Sequence, residues 1–295
     1  MPDKFPYGGQ AVIEGVMIRG RSHVAVACRL PSGDIKLHTE PIRPLTSRSR
    51  LLALPFVRGT PALLDALRLG FSSLLYSANV ALQAEGQEPL SKRAYGLTIA
   101  ASMAFAVAVF VLLPSLLVPR MNAGVFLPNL TEGLIRKALF VIYILVIFRL
   151  PQVRKLFQYH GAEHKVVNAF EAEADLSEAG RFSTIHPRCG TDFIAMVVVV
   201  GILVHFLIGW PSWPVRLASR ILAIPVIAGI SYEILRLAGR RPQSRLLRTL
   251  VAPGLWLQRL TTAQPDERQV EVAKAALTSI LDLEQREAAE APANA

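Results

Sequence analysis

Apolar residues gather in blocks along this chain, and the polar stretches between them read as connections. Tyr95 to Val118 is nearly all apolar, Phe193 to Trp210 is apolar apart from His205, and Ile221 to Leu237 is broken only by Ser231, Glu233 and Arg236. Blocks of this kind approach the roughly 20 residues that an α-helix needs to cross a bilayer. A fourth block, Thr131 to Leu150, is purely apolar only from Ala138 to Phe148, a stretch that also suits a buried or re-entrant helix. The pattern predicts a mainly α, multispanning helical membrane protein with about four spans in 95–238, interrupted by a polar loop at 151–192.

The flanks follow other periods. In 1–58, Val24 to Arg29 and Ile35 to Thr39 surround Leu30-Pro31-Ser32-Gly33-Asp34, which predicts a β-hairpin. The basic, proline-containing stretch Arg43 to Arg58 reads as a linker along lipid headgroups. In 59–94, Thr60 and Pro61 suit an N-cap and first helical position for a helix to Leu82, amphipathic and placed on the membrane or against the spans. In 239–295, a basic exit is followed from Pro265-Asp266 by an amphipathic helix carrying Val272, Ala276, Leu277, Ile280 and Leu283, with a disordered tail from Ala288.

Composition agrees with a membrane reading: 52% of the 295 residues are hydrophobic. The net charge of +10 raises nucleic acid as a partner, but the placement of Lys and Arg around the blocks has a simpler cause. Most basic residues, including Lys92, Arg93, Arg149, Arg154, Lys155, Arg236 and Arg240, fall on one side of a four-span arrangement; Arg120, Arg136, Lys137, Arg216 and Arg220 fall on the other. The positive-inside rule then puts both termini and 151–192 in the cytoplasm, with membrane lipids as partners and no nucleic acid. Lys4, Glu14, Arg19 and Arg21 exclude the apolar core of a cleavable signal. Cys28 and Cys189 both fall on the cytoplasmic side, where a structural disulfide is disfavoured.

The chemistry concentrates in His160-Gly161-Ala162-Glu163-His164. On a helix, His160 and His164 share a face and clamp one divalent metal ion, while Glu163 reaches the same side as a base. Catalytic zinc takes three protein ligands, so a third is required. His186-Pro187-Arg188-Cys189-Gly190 offers His186 or Cys189 on a segment able to fold back. Glu233 is an intramembrane carboxylate near the cytoplasmic end of its span, and Glu14 meets no topological objection. Glu171 lies roughly 10 Å along the axis from His164, and His205 about 18 Å from Phe193; both are set aside. The plainer alternatives are a solvated face of His, Glu and Lys165, a buried thiol at Cys189, a Glu233–Arg236 pair, and Asp192 as a helix N-cap.

At Gly8 to Met17, Tyr76 to Asn79, Tyr159 to Lys165, His186 to Phe193, Ser231 to Glu233 and Leu257 to Pro265 the chain resembles the DUF1385 family of bacterial membrane proteins. Members of that family are labelled predicted metal-dependent enzymes. The resemblance is nearly full-length; it implies a multispanning protein of the bacterial inner membrane with a metal-dependent activity, and it supplies no substrate.

The function expected from these residues is a zinc-dependent membrane hydrolase acting at the cytoplasmic face on a membrane peptide or lipid-linked molecule. His160 and His164 are ligands, Glu163 is the base, and His186, Cys189, Glu233 or Glu14 completes the site. Two alternatives stand beside it. One is a non-enzymatic scaffold whose structural metal site staples the loop to the helices; the other is a small transporter using Glu233 and His205.

Overall fold

A computed structural model describes residues 5–118, 126–209, 211–241 and 243–290. Arg120, Trp210 and the last five residues of the tail lie outside the described residues.

The N-terminal segment holds twice the strands the hairpin reading predicts. Strands β1 (Gly8–Val12), β2 (Gly15–Arg19), β3 (His23–Arg29) and β4 (Ile35–Pro41) form an antiparallel sheet in sequence order. The expected hairpin is β3–β4, with Arg29 paired to Ile35. The additional β1–β2 hairpin closes through Ile13-Glu14, with Glu14 at φ 52°. Alternate residues of β3 serve two cores. Ala25 and Ala27 join Val16 and Ile18 on one face; Val24, Val26 and Cys28 join Val12 and Met17 on the other. Burial on both faces explains why β3 reads as continuous apolar sequence instead of alternating.

Helix α1 (Gly59–Ala84) covers the second face through Leu69, Leu74, Tyr76 and Val80, and its first turn rests on a later apolar helix. Helix α2 (Lys92–Val107) passes through a π-helical turn, Ala108–Leu112, into α3 (Leu113–Leu117), and α4 (Phe126–Ile147) follows. Helix α5 (Pro151–Glu171) carries the HGAEH residues. Next come α6 (Gly190–Ile208), α7 (Trp213–Leu222), α8 (Ile224–Arg240), α9 (Arg245–Thr261) and α10 (Glu267–Glu290). Helices α5 and α10 pack together on the first face of the sheet, burying Tyr159, Val166, Val167, Val272, Ala276, Leu277 and Ile280. The sheet is therefore a middle layer between α1 and the α5–α10 pair. Helix α10 continues through Glu290, so the tail expected to be disordered from Ala288 is helical for its first three residues.

Among the described residues two helices are long and apolar enough to cross a membrane, Lys92–Leu117 and Gly190–Ile208; a third crossing results if α7 and α8, bent by 44°, count as one. Helix α4 carries Glu132, Arg136 and Lys137, too many charges for it to qualify by composition. Arg136, Arg216 and Arg220 are not loop charges. The Arg220 guanidinium donates to both Glu132 carboxylate oxygens at 2.8 and 2.7 Å, and Arg136 donates to Glu132 at 2.9 Å. Arg136 Nε also reaches the Phe110 carbonyl in the π-helical turn at 2.8 Å, and Arg216 reaches the Ser115 carbonyl at 2.9 Å. Glu132 and Arg220 are buried, as a carboxylate–guanidinium pair must be satisfied to remain in an apolar interior.

The segment that leads into β1 is tied to α10, from the other end of the sequence. Tyr7 donates its hydroxyl to Glu284 of α10 at 2.5 Å, and burial together with that carboxylate pushes the phenol up to about 12. A phenol whose folded value is raised gives stability that is complete below its unfolded value of about 10 and is gone once the pH passes the folded value. Chemical unfolding followed between pH 9 and 12 should show the wild type losing more stability than Tyr7→Phe; parallel curves would refute the assignment.

Candidate metal centre

Helix α5 starts at Pro151, whose fixed φ suits the first helical position, and lies against both the sheet core and α10. Its HGAEH face is not solvated: Glu163 is 3% exposed, His164 2% and Lys165 4%. Gly161 in mid-helix has a tertiary cause. A Cβ there would stand 2.2 Å from the Ala263 carbonyl, so glycine lets the strand-like exit of α9 lie directly on α5.

The segment after α5 folds back along it. Lys165 donates to the carbonyls of Gly180 and Phe182 at 2.6 and 2.8 Å, and Asn168 donates to those of Ser183 and Ile185 at 2.9 and 3.1 Å. Burial of the Lys165 amine lowers its pKa from the usual value. This stitching carries Cys189 to the first turn of α6, where it is the N-cap and its sulfur accepts from the Thr191 amide and, at 3.2 Å, hydroxyl.

Three donors converge: one ligand atom each from His160, His164 and Cys189 lies within 4.8 Å of the others. His160 Nδ1 is 2.8 Å from the Thr261 carbonyl, and His164 Nδ1 is 2.6 Å from the Thr184 carbonyl. A carbonyl can only accept, so in the neutral rings both Nδ1 atoms carry the proton and both Nε2 atoms present a lone pair. Metal-ligating histidines are oriented in this way. His160 Nε2 stands 3.2 Å from Cys189 Sγ, near the N–S edge of about 3.5 Å that tetrahedral zinc geometry requires. Glu163 Oε2 is 3.5 Å from His164 Nε2, beside the three donors. His160 and Cys189 are half-buried, so the cluster faces outward on one side. Two imidazoles and a thiolate, at the end of a helix whose dipole favours an anionic ligand, form a donor set suited to zinc.

The other sequence candidates lie elsewhere. His186 sits beside His164, with ring centroids 5.7 Å apart, but its Nε2 is 3.3 Å from Glu171 and its Nδ1 accepts from the Arg188 amide. Glu171 also pairs with Arg188, and although desolvation opposes ionisation, His186 and Arg188 hold its carboxyl below the usual range. Glu233 binds Arg58 at 2.7 and 2.6 Å and accepts from the Phe56 amide, so Arg58 is the partner where Arg236 was expected. Glu14 pairs with Lys155 at 2.6 Å.

Two residues that the sequence reading did not assign to the site belong to the surroundings. Gln258 of α9 is fully buried, accepts from the His186 amide at 2.9 Å, and donates to the His186 carbonyl and Asp192 Oδ1 at 2.7 and 2.8 Å. Asp192 is 1% exposed, and its Oδ2 has no hydrogen-bond partner among the described residues. His164 and His186 are near enough to act on its charge. Asp192 is thus not the N-cap that its position suggests but a buried carboxylate with one oxygen to spare.

The fold and site define a class: a protein with apolar helices, a sandwiched four-stranded sheet, and a His-His-Cys cluster where the two parts meet. Residues 54–283 match the family described as Protein of unknown function (DUF1385), and the chain belongs to that family. It is 35% identical over 298 residues to the "Uncharacterized protein YqhQ" of Bacillus subtilis (strain 168), covering 94% of this chain and 93% of that one. No solved structure matches the chain.

Proposed function

We propose that this chain is a zinc-dependent hydrolase of the bacterial inner membrane, with its site at the cytoplasmic face. The observation that carries the reading is the pair of imidazoles whose Nδ1 atoms are fixed by backbone carbonyls and whose Nε2 atoms meet Cys189. Bound there, zinc supplies a water of lowered pKa and polarises a carbonyl or phosphoryl oxygen. His160, His164 and Cys189 would hold the ion, and Glu163 would act as the base that takes a proton from the attacking water and returns it to the leaving group. The N-terminal end of α6, an apolar helix of membrane-crossing length, adjoins the cluster. That placement supports a membrane-peptide or lipid-linked substrate, and the basic residues of 236–248 support a cytoplasmic side.

A second reading rests on the same sulfur. Cys189 at a helix N-terminus, 3.2 Å from His160 Nε2, is also the arrangement of a thiolate nucleophile and its imidazole base. Elemental analysis of the purified full-length protein separates the readings. About one equivalent of zinc, lost in Cys189→Ser, supports the metal site. A metal-free protein whose Cys189 is alkylated rapidly would transfer the chemistry to sulfur.

A further inference from the structure

The connection between β4 and α1 builds a cleft that the zinc chemistry does not use. It encloses about 540 Å³ and is lined by Arg19, Arg43, Arg48 and Arg68 together with Glu40 and Asp65. The two acids offset half of that charge and leave four arginines against two carboxylates; Asp65 is engaged by the Leu45 amide at 2.8 Å, and Glu40 stands 4.0 Å from His38. Four guanidinium groups around one cleft favour a phosphate-type anion, which arginine binds with paired donors.

What lies beside the cleft identifies the source of that anion. Leu51, Leu54, Phe56 and Val57 follow directly in the chain and are exposed, Leu51 by 70% and Phe56 by 61%. Phe56 anchors the end of this row against α8. A Cβ on Gly229 would stand 2.0 Å from the Phe56 carbonyl, the Phe56 amide bonds Glu233, and Phe56 takes φ 65° to do so. Gly229 lies eleven residues before Arg240, about 16 Å along the helix, which is about half the hydrocarbon thickness of a bilayer. With α8 crossing the membrane and Arg236, Arg240 and Arg241 at the headgroups, the 51–57 row enters the inner leaflet. The cleft, joined to that row through Pro44 and Arg48, then stands at the depth of lipid phosphates.

We propose that this cleft binds the phosphodiester headgroup of an anionic membrane lipid, with residues 51–57 inserted among its acyl chains. The proposal rests on the membrane location argued above. It assigns the exposed apolar residues and the arginines to one ligand, since a soluble phosphate compound needs no apolar row.

Native mass spectrometry of the full-length protein with phosphatidylglycerol, and with phosphatidylcholine as the neutral control, tests it. Wild type should retain the anionic lipid at least ten-fold better than the neutral one. Arg43→Ser/Arg68→Ser, at two exposed positions, should weaken retention ten-fold or more, and Arg43→Lys/Arg68→Lys should recover much of it. Unchanged retention in the serine pair overturns the proposal. Displacement of the lipid by equimolar glycerol phosphate or inorganic phosphate also overturns it, in favour of a soluble ligand. Release of wild type from membranes by alkaline carbonate would instead refute the membrane location, which a failure at the arginines alone leaves standing.

Discussion

Glu132→Ala is expected to destabilise the helical half of the protein by about 3–5 kcal/mol, the cost of removing one member of a buried ion pair. The carboxylate accepts from Arg220 through both oxygens and from Arg136 and Ser115, and its side chain is 3% exposed. Without it, two guanidinium groups remain in an apolar interior with no acid within the same helices, since Glu132 is the only acidic residue between Lys92 and Arg154. The double change Glu132→Leu/Arg220→Leu should restore much of the loss, because replacing both members by apolar groups avoids stranding a charge. Denaturant unfolding of the detergent-solubilised protein measures both. A Glu132→Ala protein as stable as wild type would show that the pair is solvated.

The second large effect separates binding from chemistry. His164→Ala removes a donor whose orientation is fixed by the Thr184 carbonyl, and zinc affinity should fall by several orders of magnitude. Glu163→Gln keeps the shape of the side chain and removes the base. It should retain zinc at wild-type stoichiometry and lose roughly 10²–10⁴-fold in the rate of the reaction, the usual range for a general base. Metal analysis beside a cellular complementation assay reads both quantities. Full complementation by Glu163→Gln would favour a structural metal site.

The parts of the fold that were legible in the sequence are those whose cause is local. The β3–β4 hairpin announces itself through the turn at Leu30 to Asp34, and α10 through its apolar spacing. The β1–β2 hairpin escapes notice because its two-residue turn places Glu14, not glycine, in the left-handed region, and because β1 begins with two glycines. Helix α9 is hidden by Pro253-Gly254, which reads as a break although Pro253 lies inside the helix.

The site divides in the same way. The HGAEH spacing identifies two donors on one helical face, and the proline–glycine segment around Cys189 suggests a return toward them. The carbonyls of Thr184 and Thr261, which set the tautomers, have no side-chain signature and emerge only from the fold. Gly161 is a poor helix former by propensity, whereas its contact with Ala263 shows tertiary packing deciding the matter. Asp192 looked like a cap because aspartate caps helices well; the sulfur of Cys189 occupies that position instead.

The carbonyl of Thr261 also orders events in the life of the chain. His160 and His164 leave the ribosome together, and Cys189 soon after, but the group that orients His160 is made about a hundred residues after it. Between the two come α6, α7 and α8, and α9 must pack on α6 before Thr261 reaches α5. A nascent chain therefore holds all three donors without a finished coordination geometry. If zinc binds there as proposed, its acquisition would be a late step, one that follows the docking of the apolar helices, and a chain stalled in assembly would hold the cation more loosely than a completed one.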